Sequence, residues 1–255
     1  MDRLSSEKIL GVSVAVDGLS SCVDAVFQWA LGSSSPKWLA CANPHSLHTA
    51  NADKEFCKSL NAADLVTPDG VGVVLASRFL GGEISERITG SDIFYEVSIR
   101  MNKKGGMRCF FLGSTEATLA EIRAKMKKEY PNIEVGTYSP PFKPNFSEDE
   151  NLKMIAAINE FNADVLWVGM TAPKQEKWIY DNISQLDVKF VGAIGAVFDF
   201  FTGRVKRSGV TYQKLGLEWL PRLLQEPRRL WRRNLVSNPA FVFEVLAQKY
   251  RAKGG

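Results

Sequence analysis

An aspartate held between a proline and a glycine is the residue of this chain best placed to do chemistry. Asp69 lies in the segment Thr67–Val74 (TPDGVGVV), directly after an apolar run and before an apolar helical segment. A carboxylate with few charged neighbours in such a place suits general-base catalysis, because partial burial raises its pKa toward neutrality. The Pro-Asp-Gly pattern is also typical of a turn or a helix N-cap. The residue types alone leave both interpretations open.

Four further segments combine Gly, Pro or Asn with polar residues at turns: Cys41–Leu47, Arg87–Asp92, Phe110–Thr118 and Val168–Trp178. Backbone N–H groups in Phe110–Thr118 would suit a phosphate, although the segment has neither glycine-rich nucleotide fingerprint. An ordinary helix start capped by Ser114 or Thr115 fits equally well. His45 and His48 have no further ligand nearby, so the sequence predicts no metal site.

The elements that must position these segments form a regular alternation. Seven β-rich runs are predicted as strands: Ile9–Val16, Trp38–Ala42, Leu65–Thr67, Arg108–Leu112, Ile133–Tyr138, Val165–Val168 and Phe190–Ile194. The segments with helical periodicity are Cys22–Leu31, Thr115–Tyr130, Glu148–Phe161 (after a capping box in Ser147–Glu150) and Gln175–Ile183. The alternation predicts a Rossmann-like α/β fold, with a mostly parallel sheet and helices on both faces. Such sheets bind ligands at the carboxyl ends of their strands, where the polar segments fall.

Charge is distributed unevenly along the 255 residues. Residues 203–255 carry 12 Lys and Arg against 3 Asp and Glu, whereas residues 1–202 carry 20 against 25. The chain is therefore divided into a Rossmann-like core, 1–202, and a basic helical C-terminal appendage, 203–255. The appendage interleaves arginines with Trp and Leu, which predicts an anionic partner. A membrane surface, a phosphate-bearing substrate and nucleic acid all qualify.

Composition favours a cytoplasmic protein that is peripherally associated with a membrane. The first ten residues lack the apolar core of a signal peptide, and no stretch approaches the roughly 20 apolar residues of a spanning helix. Four cysteines without CxxC pairing are typical of a reducing compartment.

Taken together, the motifs resemble a known family. TPDGVGVV, RITGSD, FFLGS, SPPF, VGMTAPKQEKWI, VGAIGAVFDFFTGRVKR and GLEWLPRLLQEPRRLWRRN occur in this order over nearly the whole chain. The set is similar to that of the WecG/TagA/CpsF family of bacterial glycosyltransferases, glycosyltransferase family 26. The resemblance implies transfer of a hexose from a UDP-sugar donor to a polyprenyl-diphosphate-linked acceptor at the inner face of the cell membrane, with inversion and with neither metal nor cofactor.

The resemblance also assigns roles to residues. Asp69 would be the general base that deprotonates the acceptor hydroxyl. The implied substrate-binding residues are Asn43, Arg87, Thr89, Gly90, Ser91, Asp92, Gly113, Ser114, Gln175, Arg222, Arg229 and Arg232. Gly113 and Ser114 would lie near the nucleotide, and Gln175 near the uracil or ribose.

The arginines of the appendage would stabilise the leaving diphosphate, since guanidinium groups bind phosphate in a bidentate manner. Arg222, Arg229 and Arg232 match the family pattern, whereas Arg228 and Arg233 are candidates for lipid headgroups. A solvated basic helix without a ligand is the alternative. Asn238–Lys253 is predicted to be an amphipathic helix that contacts either the membrane interface or a second copy in a homo-oligomer.

The sequence does not settle the donor sugar. Cys41 and His45 stand where the family often has a hydroxyl and an acidic residue around Asn43. N-acetylmannosamine, its uronic acid and glucose therefore all remain candidates. Two other classes are also open: a nucleic-acid-binding protein that uses the Arg/Trp-rich appendage, and a nucleotide-dependent oxidoreductase, against which the missing glycine fingerprint counts.

Overall fold

Strands alternate with helices along residues 4–205, 231 and 233–253, which the computed structural model describes. Strands β1 to β8 are Ser6–Ile9, Val12–Ala15, Lys37–Ala42, Leu65–Pro68, Met107–Gly113, Ile133–Tyr138, Val165–Gly169 and Phe190–Ala193. Helices α1 to α10 are Leu19–Leu31, Pro44–Ala52, Lys54–Ala62, Val71–Leu80, Gly90–Lys104, Glu116–Glu129, Glu148–Phe161, Lys174–Asn182, Val197–Thr202 and Asn238–Lys253.

Six strands form one parallel sheet in the order β4-β3-β8-β7-β5-β6. Leu39 of β3 lies opposite Leu65 of β4, and Cys109 of β5 lies opposite Val165 of β7. Because all six strands run in the same direction, the loops that leave their carboxyl ends gather at one edge of the sheet. The predicted parallel α/β architecture is confirmed.

The strands are buried on both sides, as their nearly continuous apolar sequences require. In β5, Phe110 and Leu112 face a core formed with helices α2, α3, α4, α7, α8 and α10. Cys109 and Phe111, on the opposite side, face a second core formed with α1, α5, α6 and α9. Helices therefore cover both faces of the sheet, and the edge formed by the strand ends remains as the place for a site.

The strand predicted over Ile9–Val16 is confirmed over Val12–Ala15, but the predicted run also contains a turn. The chain reverses at Leu10 and Gly11, whose φ angles are 49° and 81°, and β1 pairs with β2 as an antiparallel hairpin apart from the main sheet. Two successive positive φ angles give a turn whose twist matches that of the flanking strands. The hairpin still buries Ile9 and Val12 in the first core.

Helix α10 packs against the body of the protein. Phe241 and Val245 are buried in the first core. Gln248 fastens the helix to the hairpin, because its Oε1 accepts from the Leu10 N–H at 2.8 Å and its Nε2 donates to the Lys8 carbonyl at 3.1 Å. The predicted C-terminal helix is confirmed, and its inner face packs against the first core and the hairpin.

The other face of α10 stays apolar and exposed. Val242, Phe243 and Tyr250 are all more than half exposed.

A further contact holds α10 to the body of the protein. His48 of α2 pairs with Glu244 of α10, with 3.0 Å between Nδ1 and Oε1. Among the described residues, no helix has the length and apolar character needed to cross a membrane.

Candidate active site

The segments predicted to do chemistry leave the same edge of the sheet. Asn43 follows β3, Asp69 follows β4, Ser114 follows β5, Met170 follows β7 and Ile194 follows β8. The strand order places β3 between β4 and β8. Loops that are far apart in sequence therefore meet over the ends of these strands.

Asn43 and Asp69 lie side by side. The Asp69 N–H donates to the carbonyl of Ala42 at 2.7 Å, which continues the pairing of β4 with β3. Gly70 adopts a φ of 133°, and a Cβ at this position would lie 4.0 Å from the Cβ of Asn43. Asn43 caps α2, since its Oδ1 accepts from the Ser46 N–H at 3.0 Å. The cap uses the oxygen, so the amide nitrogen is the part of Asn43 suited to a substrate.

The segment Arg87–Asp92 returns to the same place. The Ile88 N–H donates to the Pro68 carbonyl at 2.9 Å, immediately before Asp69. Thr89 and Asp92 form a reciprocal capping box that starts α5. Gly90 and Ser91 are the first two residues of this helix and are buried, whereas Arg87 and Asp92 are partly exposed.

Three carboxyl groups act on the thiol of Cys41. Burial raises the pKa of Cys41 above its ordinary value, and the charge of Asp69 raises it further. A hydrogen bond from Thr67 opposes these effects, while the charges of Glu176 and Asp92 add to them. Cys41 is therefore a neutral thiol in the floor of the site. An anionic substrate needs cationic groups here, since the carboxyls offer its charge no compensation.

The buried side chain of Gln175 contacts the loops that follow β7 and β8. Its side chain is 5% exposed, its Oε1 accepts from the Met170 N–H at 3.2 Å, and its Nε2 donates to Glu176 Oε1 at 2.8 Å. A Cβ at Gly195 would lie 3.6 Å from both polar atoms of the amide. Gln175 thus sits where the loops after β7 and β8 meet, and its predicted contact with a nucleotide is a proposal.

Glu176 is the residue that the sequence interpretation missed. It is 2% exposed in the first turn of α8, and burial raises its pKa to about 7, against the lowering effect of the hydrogen bond from Gln175. A signal was available: Glu176 lies three residues before Ile179, on the buried side of an amphipathic helix. A charged residue in such a register is a candidate for function.

The turn after β5 brings two loops into contact. Gly113 and Ser114 have φ angles of 123° and 57°, and Ser139 Oγ donates to the Ser114 carbonyl at 2.9 Å. The Thr115 side chain then caps α6 by accepting from the Thr118 N–H. Helix α6 begins at this edge of the sheet. The position of Gly113 and Ser114 near a nucleotide stays a prediction.

We expect Gly113→Ala to lower the free energy of unfolding by about 3 kcal/mol or more. The new Cβ would lie 2.4 Å from the Gly169 carbonyl oxygen, at a φ that residues with side chains rarely adopt. Gly106→Ala is the matched control, because its φ is also positive, at 69°, but no atom lies within 4 Å of its added Cβ. That variant should cost only about 1–2 kcal/mol. Urea unfolding measures both, and equal costs would contradict the predicted clash.

The predictions on metal binding and on the appendage arginines concern different parts of the chain. Among the described residues, no group of three or more His, Cys, Asp and Glu side chains could hold a metal ion. Arg222, Arg229 and Arg232, together with Arg228, lie outside the residues that the structure describes. The side chain of Arg233 lies outside them too.

The fold and this edge define a doubly wound α/β protein with a candidate site at its strand ends. The sequence model of the Glycosyl transferase WecG/TagA/CpsF family matches residues 7–255. The chain belongs to this family, and it is a glycosyltransferase.

Curated relatives match most of the chain. A relative from Bacillus subtilis strain 168 is 30% identical over 251 residues, which cover 98% of this chain and 94% of the relative. One from Bacillus spizizenii is 31% identical, covering 89% and 86%, and one from Staphylococcus aureus strain MW2 is 27% identical, covering 87% and 84%. All three are named N-acetylglucosaminyldiphosphoundecaprenol N-acetyl-beta-D-mannosaminyltransferase.

Proposed function

We propose that this protein transfers N-acetylmannosamine, or a related hexose, from a UDP-sugar to a polyprenyl-diphosphate-linked saccharide in the synthesis of a bacterial surface polymer. The observation that carries the proposal is the position of Asp69 beside Asn43 at the carboxyl edge of the sheet. Family membership and the names of the relatives support the choice of donor and acceptor.

Asp69 acts as the general base of a single displacement. It takes the proton of the acceptor hydroxyl while that oxygen forms a bond to the anomeric carbon of the donor. The bond from this carbon to the diphosphate oxygen breaks, and UDP leaves with the electron pair. Attack from the side opposite UDP inverts the configuration, so one base is sufficient.

Charge on the leaving diphosphate requires cationic stabilisation by the protein, because the reaction is proposed to use no metal ion. Asp69 and Asp92 already place carboxyl groups at the described edge, so the diphosphate needs cationic side chains close to it. Arg87 and the appendage arginines Arg222, Arg229 and Arg232 are proposed for this role. Gly113, Ser114 and Gln175 are proposed to hold the nucleotide.

Residues 203–255 are proposed to form an appendage that brings the core to the inner face of the membrane. The exposed apolar side chains of Val242, Phe243 and Tyr250 on α10 support contact with a lipid surface. The excess of basic residues in this segment favours anionic lipids. The protein would then associate with the membrane peripherally and work from the cytoplasmic side.

Nucleotide selectivity tests the proposal directly. Titration of the full-length protein with UDP, ADP and GDP in a calorimeter, in the presence of EDTA, should show at least about tenfold tighter binding of UDP. A panel of UDP-sugars with a lipid-linked N-acetylglucosaminyl diphosphate acceptor then identifies the donor. If UDP does not bind in the presence of detergent or lipid, the proposed donor and donor site are wrong, and strongly salt-dependent binding of RNA would assign the basic appendage to nucleic acid.

A further inference from the structure

Glu176 is a buried acid with one oxygen that accepts a hydrogen bond and one, among the described residues, that has no partner. Its Oε1 accepts from Gln175 Nε2 at 2.8 Å. Its Oε2 is fully buried and has no hydrogen-bond partner in the part of the chain that the structure describes. An ionised carboxylate in this state would lose hydration without compensation, whereas a neutral acid loses much less. The surroundings of Glu176 therefore favour the protonated form.

The hydrogen bond to Glu176 Oε1 helps to fix the orientation of the Gln175 amide. The Gln175 amide is held at its oxygen by the Met170 N–H and at its nitrogen by Glu176. If the amide flipped, its NH2 group would face the Met170 N–H and that hydrogen bond would be lost, while its oxygen could be held only by a protonated oxygen of Glu176. Because Gly195 packs against the same amide, Glu176 also supports the place where the loops after β7 and β8 meet.

The charged residues on the elements next to Glu176 pair with one another or lie on the sheet side. On α8 itself, Lys177 pairs with Asp53 and Glu55 at the start of α3, with Nζ to oxygen distances of 2.8 and 3.2 Å. On the sheet side, Cys41 of β3 is within electrostatic reach of Glu176 as well as of Asp69 after β4 and Asp92 of α5. Ionisation of Glu176 would thus add a negative charge to an edge that already has two carboxyl groups.

We propose that Glu176 is a positioning residue of the donor site, which in its neutral form holds the Gln175 amide in place and keeps a further negative charge away from the anionic donor. This inference rests on the proposed function, since it takes a UDP-sugar as the ligand. Glu176 acts through Gln175 and through its charge state, and it needs no contact with the reacting atoms.

Glu176 is expected to lose its proton within the physiological pH range. Burial raises its pKa to about 7. Binding of an anion nearby makes ionisation still harder, and by linkage the ionised protein then binds the anion more weakly. If the bound donor raises the pKa of Glu176 by about one unit, loss of the proton weakens binding about tenfold.

The test compares the pH dependence of UDP-sugar affinity in the wild type and Glu176→Gln. The amide stays neutral at every pH and can still accept from Gln175, so its affinity should stay nearly constant from about pH 6 to about pH 8.5. Wild-type affinity should fall about tenfold relative to this variant over the same range. Glu160→Gln is the matched control, because Glu160 is exposed at the end of α7, and it should follow the wild type.

Glu176→Met separates the hydrogen bond from the charge. It removes the acceptor of the Gln175 amide, so affinity for the UDP-sugar should be about tenfold weaker than that of Glu176→Gln at every pH.

Thermal denaturation checks that both variants are folded. It also tests the charge state: the folded protein keeps a proton that the unfolded chain releases above its ordinary pKa, so stability is lost as pH rises toward about 7. Glu176→Gln should therefore gain about 5 °C over the wild type between about pH 5.5 and 8.5.

The outcomes separate the two proposals. Parallel pH profiles of affinity for the wild type and Glu176→Gln, or wild-type affinity in Glu176→Met, would overturn the role of Glu176 while leaving a functioning transferase. Failure of every protein to bind any UDP-sugar would overturn both this inference and the proposed function. Diverging profiles together with weak binding by Glu176→Met support the inference.

Discussion

Replacement of Asp69 by asparagine should lower kcat about a thousandfold and leave the dissociation constant of UDP within about threefold of the wild type. The amide has the size of the carboxyl group but cannot accept the proton of the attacking hydroxyl. Nucleotide binding is proposed to depend on Gly113, Ser114 and Gln175, which the substitution does not touch. The measurement is turnover with a UDP-sugar and a lipid-linked acceptor, together with calorimetric titration of UDP.

The matched control for Asp69 is Asp187→Asn, which makes the same chemical change at an exposed position. Asp187 precedes β8 and therefore lies at the opposite edge of the sheet, so turnover should not change. Turnover of Asp69→Asn within about tenfold of the wild type would remove Asp69 from the role of base. The other two carboxyl groups near Cys41, those of Asp92 and Glu176, would then be the candidates.

The main sheet could be predicted from the sequence because its strands carry a local signal. Strands buried on both faces are continuous apolar runs, as in Val165–Val168, which was predicted as a strand and is wholly buried in β7. The edge strand Ile133–Tyr138 was predicted with the bounds that the structure has. The same holds for helix Glu148–Phe161, where the capping box at Ser147 marks the first residue. Parallel direction followed from the helices between the strands, so the gathering of Asn43 and Asp69 at one edge could also be predicted.

The amino-terminal hairpin could not be predicted in this way. Ile9–Val16 is one apolar run, and its turn consists of Leu10 and Gly11 rather than the Asn-Gly or Asp-Gly pair that marks most such hairpins. The strand order carried no local signal either. Insertion of β8 between β3 and β7 is a property of the whole chain, and it is what brings Glu176 of α8 within reach of Cys41.

The candidate site was therefore predicted only in part. Residues at turns, such as Asp69 and Gln175, stand out because Gly and Pro mark their surroundings. Glu176 has no such mark, and a glutamate on a helix is most often solvated. Its burial depends on packing between α8, α3 and β8, which no local pattern encodes.

Simultaneous replacement of Arg222, Arg229 and Arg232 by glutamine should lower kcat about a hundredfold or more and weaken UDP binding about tenfold. The proposed reaction has no metal ion, and Asp69 and Asp92 lie at the described edge of the sheet, so the leaving diphosphate is proposed to depend on Arg87 and on the cations of the appendage. Replacement by lysine keeps the charge but loses the bidentate geometry, and it should restore only part of the activity. Turnover and UDP titration of the two triple variants measure these effects.

The matched control removes the same charge at the other end of the molecule. Lys103 at the end of α5, and Lys127 and Lys128 at the end of α6, are exposed at the edge opposite the candidate site. Their replacement by glutamine should leave turnover unchanged, because charges more than about 10 Å apart are largely screened in salt.

A comparison of soluble and membrane-bound acceptors distinguishes the two roles proposed for the arginines of the appendage. If the arginines act on the diphosphate, the defect persists with a soluble short-chain acceptor. A defect that appears only on vesicles would show that they bind lipid headgroups instead.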